Sequence, residues 1–174
     1  MGGISLLIGE AEIAARVQAL GGEIARTIPG HFVMVGLLKG AVVFVADLAR
    51  ALDRAGARPE IEFIRLASYG PATKSAGEVW LLGEVPTNIA GRRVLLVDDI
   101  VETGRSLAYA VSLLGRSGIA GLWTCTLLDK PKRREVDVRI DFVGFTLSDV
   151  FVVGYGLDHA EKYRHLPYIG LIAE

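Results

Sequence analysis

The chain has a single cysteine among 174 residues. Cys125 therefore closes no internal disulfide, which fits a reducing compartment better than a secreted scaffold. Its setting, LWTCTLL, is apolar and suits a small buried residue more than an exposed nucleophile. An excess of one charge is also missing, since 19 basic and 20 acidic side chains leave a formal net charge of −1. Broad attachment to nucleic acid needs a concentrated cationic face, so no nucleic-acid partner is expected. Long apolar runs are absent as well: Lys39 and Asp47 interrupt 33–51, while Arg92 and Asp98 bracket 94–97, and no membrane span is expected. MGGISLLIGE lacks the basic start and cleavage pattern of a secretory signal, and Ser5-Leu6 miss the myristoylation pattern. The expected location is cytoplasmic. Two nucleotide motifs are missing too. Arg105 follows Gly104 where a phosphate-binding loop needs lysine, and GYGLDH lacks the third glycine of a dinucleotide fingerprint. His31, His159 and His165 show no metal-ligand spacing.

What is present is a folded pattern. Hydrophobic residues make up 51% of the chain and mean hydropathy is +0.41, too apolar for a disordered segment. The length suits one domain spanning 1–174. Ile13, Val17, Leu20 and Ile24 recur at helical spacing within 10–27, and Pro29-Gly30 ends that helix. FVMVGLL, 32–38, reads as a strand covered on both faces. A helix follows over AVVFVADLARALDRAG, stopped at Gly56, then a strand IEFIRLASY. Small and turn-forming residues dominate 70–91, apart from a short apolar VWLL, and predict a mobile excursion. RVLLVDD, the helix SLAYAVSLLGRSG and the strand GLWTCTLLDK come next, followed by shorter strands DFVGFTL and VFVVGYG and a polar tail. Alternating strands and helices over 32–128 imply parallel strands with right-handed crossovers. The expected class is α/β, an open and mostly parallel sheet flanked by helices. Ligands of such sheets bind at the carboxyl ends of the strands, where Lys39, Asp98-Asp99 and Lys130 fall.

The stretch VLLVDDIVETGRSL, 94–107, carries the chemistry. An apolar strand runs into two adjacent carboxylates, which must point to opposite faces because strand side chains alternate. One can reach a sugar hydroxyl pair or a hydrated metal while the other braces the loop. Gly104 permits a tight bend, and consecutive amides at a helix start form a phosphate cradle to which Thr103 and Ser106 add hydroxyls. Carboxylates for a sugar and amides for its phosphate thus lie a few residues apart. The plain alternative is an acidic turn ahead of a helix.

This stretch closely resembles the phosphoribosyl pyrophosphate motif of type I phosphoribosyltransferases. DFVGFTLSDVFVVGYGLDHAEKYRHLPYIG, VGLLKGAVVFVADL, the SYG at 68–70 and LLDKPKRR are similar, in order, to the hypoxanthine-guanine phosphoribosyltransferase family. The resemblance covers about residues 10 to 170. It implies the type I phosphoribosyltransferase fold, with a small hood formed by the termini and a mobile active-site loop at about 70–91. It also implies a purine-salvage enzyme that moves 5-phosphoribosyl from phosphoribosyl pyrophosphate to hypoxanthine or guanine, giving IMP or GMP and pyrophosphate with Mg2+ bound. Asp98 and Asp99 would contact the ribose hydroxyls and hydrated magnesium, and Glu102, Thr103, Gly104, Arg105 and Ser106 would wrap the 5′-phosphate. Lys39, Gly40 and Arg164 would hold pyrophosphate, with an unusual cis peptide expected near Lys39-Gly40. Lys130 would read the 6-oxo group, Phe151 would stack on the base, the backbone of Val152 would touch it, and Asp158 would meet the base edge or a second magnesium ion. Ser68-Tyr69 would head the closing loop, and the assembly would be a homodimer or homotetramer.

Two positions depart from the family pattern. Position 102 is usually Asp, the base near the imidazole nitrogen, and here it is Glu102. Reference pKa values of the two acids differ by only about 0.4, so the proton chemistry survives while the reach changes. Asp98 stands where this branch often has Glu. Residues 132–134 of KPKRR, followed by Glu135 and Asp137, read as a solvated strand end. Two rival functions share the scaffold: a transferase preferring xanthine or adenine, and a regulatory RNA-binding protein. The near-neutral charge and the intact Lys130, Phe151 and Asp158 oppose the second.

Overall fold

The structure, a computed structural model, describes residues 3–68 and 78–172. Its main sheet has the strand order β4-β3-β2-β5-β6-β7, built from β2 (Phe32–Leu38), β3 (Glu60–Ser68), β4 (Val79–Leu82), β5 (Arg93–Val101), β6 (Gly121–Asp129) and β7 (Phe142–Thr146). All neighbours pair in parallel except β4, which runs antiparallel on the edge, with Arg65 opposite Leu82 and Ser68 opposite Val79. Helices α1 (Glu10–Thr27) and α2 (Val42–Arg54) lie on one face, and α3 (Arg105–Gly115) lies on the other.

The alternation of β-strand side chains explains why both faces need helices. Met34, Leu95, Val97, Cys125 and Leu127 join Leu20, Ile24, Phe44 and Leu48 of α1 and α2 in one core. Val33, Val35, Val94 and Leu96 point the other way, onto Leu107, Ala110 and Leu114 of α3. Strands buried on both sides therefore read as continuous apolar runs. Truncating a fully buried ring such as Phe44 to alanine would cost about 3–5 kcal/mol. Cys125 is buried in this core, as its apolar setting implied, and burial pushes its thiol pKa up.

Three differences from the sequence expectations bear on the site. Strand β5 does not stop at Asp99; Ile100 and Val101 remain paired with Leu128 and Asp129 of β6, so both aspartates stand inside a strand. Of VFVVGYG only Val152–Val153 is a strand, β8, because Gly154, Tyr155 and Gly156 take positive φ values of 96°, 50° and 100°. The tail is also not merely polar. Ile169–Ile172 forms β9, which pairs with both β8 and β1 (Ile4–Ile8) in a separate antiparallel sheet of order β1-β9-β8. That small sheet is the hood drawn from both ends of the chain. Within the 70–91 excursion, the described part holds β4 and a short 3-10 turn at Thr87–Ile89. Tyr69 and residues 70–77 of the expected mobile loop lie outside the described residues.

Candidate active site

The carboxyl ends of β5 and β6 and the segment around β8 border two adjoining hollows of about 180 and 190 Å³. The first is lined by Asp98, Val101, Glu102, Thr103, Gly104, Ser106 and Leu107. The second is lined by Asp99, Lys130, Phe151, Val152, Leu157 and Asp158. Ile100 and Glu102 border both. Asp98 and Asp99 therefore serve different hollows, as strand alternation requires.

The first hollow is a bend built to keep backbone close. Gly104 has φ 84° and is the N-cap of α3, with no side-chain cap there. A methyl group at this position would stand 2.6 Å from the Val136 carbonyl oxygen, so only glycine fits. The Thr103 carbonyl accepts from the N–H groups of Glu135 and Val136 at 2.9 and 3.0 Å, which fixes the turn from outside. Helix-start amides facing a hollow form an anion site. Arg105 does not line it; its guanidinium pairs with Glu135 at 2.8 Å.

The second hollow has a charged floor and an aromatic rim. Lys130 is 2% exposed, and among the described residues only it and Asp98 are buried residues of a charged type. Its ammonium is ion-paired with Glu102. Two further arginines reach Glu102: Arg133 approaches its carboxylate at 3.7 Å, and Arg134 Nε donates to its carbonyl at 3.1 Å. Arg134 also pairs with Asp129, and its side chain is mostly buried. The solvated reading of 132–134 thus fails at Arg134, whose partner is the last residue of β6. Phe151 is 48% exposed, with the His159 ring edge-on at 5.3 Å. Phe151 thus stands at the mouth of the hollow and outside the core.

Lys39 and Gly40 follow β2, and the cis peptide is Leu38–Lys39, one bond before the expected place. A methyl at position 40 would stand 1.8 Å from Asp99 Oδ2, and one at Gly156 would stand 2.1 Å from the Gly40 carbonyl oxygen. These close approaches bring β2, β5 and the 154–166 segment to one point. There Arg164 donates to Gly156 O at 2.8 Å and pairs with Asp158 at 2.7 Å. Its Nε is buried and has no hydrogen-bond partner among the described residues. Lys39 pairs with Glu161 at 3.0 Å. Burial and the adjacent Asp99 charge hold the Asp98 carboxyl well above the ordinary carboxylate range. Burial also raises Asp99, opposed by hydrogen bonds and by the charge of Arg164. Ser68 closes β3 at the same sheet edge by its backbone. Leu157, Arg133, Arg134 and Glu161 were not singled out as site residues from sequence; for Arg134 the signal was Asp129 five residues before it.

An open α/β sheet with a glycine bend, two strand-borne aspartates and a buried lysine beside an exposed ring is the architecture of a phosphoribosyltransferase. The phosphoribosyl transferase domain family matches residues 9–160. Hypoxanthine phosphoribosyltransferase of Salmonella typhimurium (strain LT2) is 42% identical over 172 residues, covering 97% of this chain and 95% of the relative. Hypoxanthine-guanine phosphoribosyltransferase of Bacillus subtilis (strain 168) is 43% identical over 168 residues, covering 96% and 92%. A solved hypoxanthine-guanine phosphoribosyltransferase from Bacillus anthracis, with a HEPES molecule in its active site, superposes with a TM-score of 0.90 at 40% identity, covering 97% and 98%. The chain belongs to the phosphoribosyltransferase family, in its hypoxanthine-guanine branch.

Proposed function

We propose that this purine-salvage transferase, acting as one domain, joins the 5-phosphoribosyl group of phosphoribosyl pyrophosphate to hypoxanthine or guanine and releases pyrophosphate. A ring nitrogen of the base forms the new bond to the anomeric carbon as the bond from that carbon to the pyrophosphate oxygen breaks. The observation that carries the reading is Glu102, whose side chain borders both hollows and touches the buried Lys130 ammonium. A sugar phosphate in the first hollow and a base in the second would meet beside it.

Each residue then has a chemical task. The bend of Glu102, Thr103, Gly104 and Ser106 receives the 5′-phosphate on helix-start amides and hydroxyls. Asp98 and Asp99 face the ribose hydroxyls and can stabilise positive charge as the anomeric carbon gains oxocarbenium character. Lys130 donates to the 6-oxo group; an ammonium has no acceptor for the amino group of adenine, which selects against it. Phe151 stacks on the base, Val152 offers backbone contacts, and Asp158 stands at the base edge. Glu102 takes the proton that the imidazole nitrogen loses, and its carboxylate is ion-paired with Lys130. Lys39, Gly40 and Arg164 hold pyrophosphate, and the unpartnered Arg164 Nε is a donor suited to a phosphate oxygen.

Magnesium fits the donor set. It binds through one or two carboxylates, waters and substrate phosphates rather than a full protein cage. Asp98, Asp99 and Asp158 supply such oxygens, and the described residues hold no cluster of three or more ligating side chains. Asp98, Asp99 and Asp158 would hold the ion, which would supply charge neutralisation for the departing pyrophosphate. We further infer a cytoplasmic homodimer or homotetramer, supported by the lone buried thiol and by exposed Ile61 and Phe63 on β3; light scattering would measure the mass.

Initial rates with hypoxanthine, guanine, xanthine and adenine, with and without magnesium, test the function. The expected order puts the first two well above adenine, with activity lost on chelation. Adenine as the best acceptor would sink the reading of Lys130.

A further inference from the structure

The two cations assigned to pyrophosphate are bridged by one carboxylate. Glu161 Oε2 lies 3.0 Å from Lys39 Nζ, and Glu161 Oε1 lies 3.6 Å from Arg164 Nη2. Its two oxygens thus reach two basic side chains that come from opposite ends of the chain, as neighbouring phosphate oxygens would. The Lys39 ammonium beside it holds the Glu161 carboxyl below the usual carboxylate range, so it is an anion at neutral pH.

The main chain here is held without help from that carboxylate. Ala160 and Glu161 take φ values of 51° and 63°. The Glu161 N–H donates to Asp158 Oδ2 at 2.8 Å, and His159 and Lys162 exchange backbone hydrogen bonds at 3.2 and 3.1 Å. Arg164 is anchored separately on Gly156 O and Asp158. The Glu161 side chain is 66% exposed and can swing aside with no refolding of the segment.

We propose that Glu161 is an internal stand-in for pyrophosphate, competing with it for Lys39 and Arg164 and thereby setting the affinity for the diphosphate group without touching affinity for the base. The inference rests on the assignment of Lys39 and Arg164 to pyrophosphate made above. As pyrophosphate enters, the carboxylate yields both cations; as pyrophosphate departs, it returns to them and opposes rebinding. Exposed ion pairs are weak and screened by salt, so the effect is a modest, salt-dependent bias and not an on-off switch.

The test measures product inhibition by pyrophosphate in the magnesium-loaded enzyme, for the parent chain, Glu161→Gln, Glu161→Ala and Lys39→Met. Glu161→Gln should bind pyrophosphate about two- to fivefold more tightly, lower KM for phosphoribosyl pyrophosphate in step, and leave KM for hypoxanthine unchanged. High salt should shrink the difference, and adding Lys39→Met should reduce it. Pyrophosphate binding that is unchanged or weaker in both Glu161 variants would overturn the proposal, as would parallel weakening of base and pyrophosphate, the mark of a structural role. Lys39→Met separates the two levels. If it weakens pyrophosphate while Glu161→Gln does not tighten it, the stand-in alone fails; if it changes nothing, the pyrophosphate assignment falls and the stand-in with it.

Discussion

Gly40→Ala is the sharpest perturbation the geometry allows. The added methyl carbon would stand 1.8 Å from Asp99 Oδ2 and 2.5 Å from its Cγ, where real contacts of this kind essentially never fall below 3.0 Å. Asp99 Oδ2 must therefore move by at least 1.2 Å, or the 38–41 turn must retreat by as much. A misplacement near 1 Å in a reacting constellation costs roughly 100-fold in rate. The fold itself should tolerate the change, since position 40 is not in the left-handed region and is only half-buried. The expected result is a fall in kcat/KM of about two orders of magnitude, with a thermal midpoint shifted by less than about 4 °C. Gly115→Ala serves as the control, because no described residue has an atom within 4 Å of its added carbon beyond its own chain neighbours and helix backbone. Steady-state kinetics and a thermal melt on the three proteins decide the matter. An intact Gly40→Ala protein with unchanged kcat/KM would show that the Asp99 carboxylate is not used where it stands, and the reasoning would be wrong.

Other substitutions probe the second hollow. Glu102→Gln should lower kcat by on the order of 100-fold or more, the usual range for a lost general base, while KM for phosphoribosyl pyrophosphate stays near the parent value; unchanged turnover would remove Glu102 from that role. Lys130→Met keeps the buried volume but loses the donor, so KM for hypoxanthine and guanine should rise about tenfold or more. Equal losses for every base and for phosphoribosyl pyrophosphate would argue instead for general collapse of the site. Cys125, buried and with its thiol pKa raised, should resist alkylation by iodoacetamide at pH 8 until denaturant is added. Rapid labelling of the native protein, followed by mass spectrometry, would contradict the packing of that core.

Much of the frame was legible from residue order because it depends on local periodicity. Ile13, Val17, Leu20 and Ile24 mark α1 by their spacing, and the unbroken FVMVGLL marks a strand covered on both faces, since each alternate side chain needs an apolar partner. Gly104 announced its bend because few other residues take its backbone angle. Residue order alone thus determined the α/β class, the resemblance to a family, and which segments carry carboxylates, amides and cations. Tertiary structure decided what those groups meet. The hood pairs residues 4–8 with 169–172, a partnership with no periodic trace. Asp98 and Asp99 were known to diverge, but only packing assigned one to the bend and the other to Gly40. Lys130 became a buried cation on Glu102, and Glu161 was carried from a polar tail to Lys39, 122 positions away. Helix and strand patterns report forces between near neighbours, whereas a site is assembled by the burial of distant faces against one another.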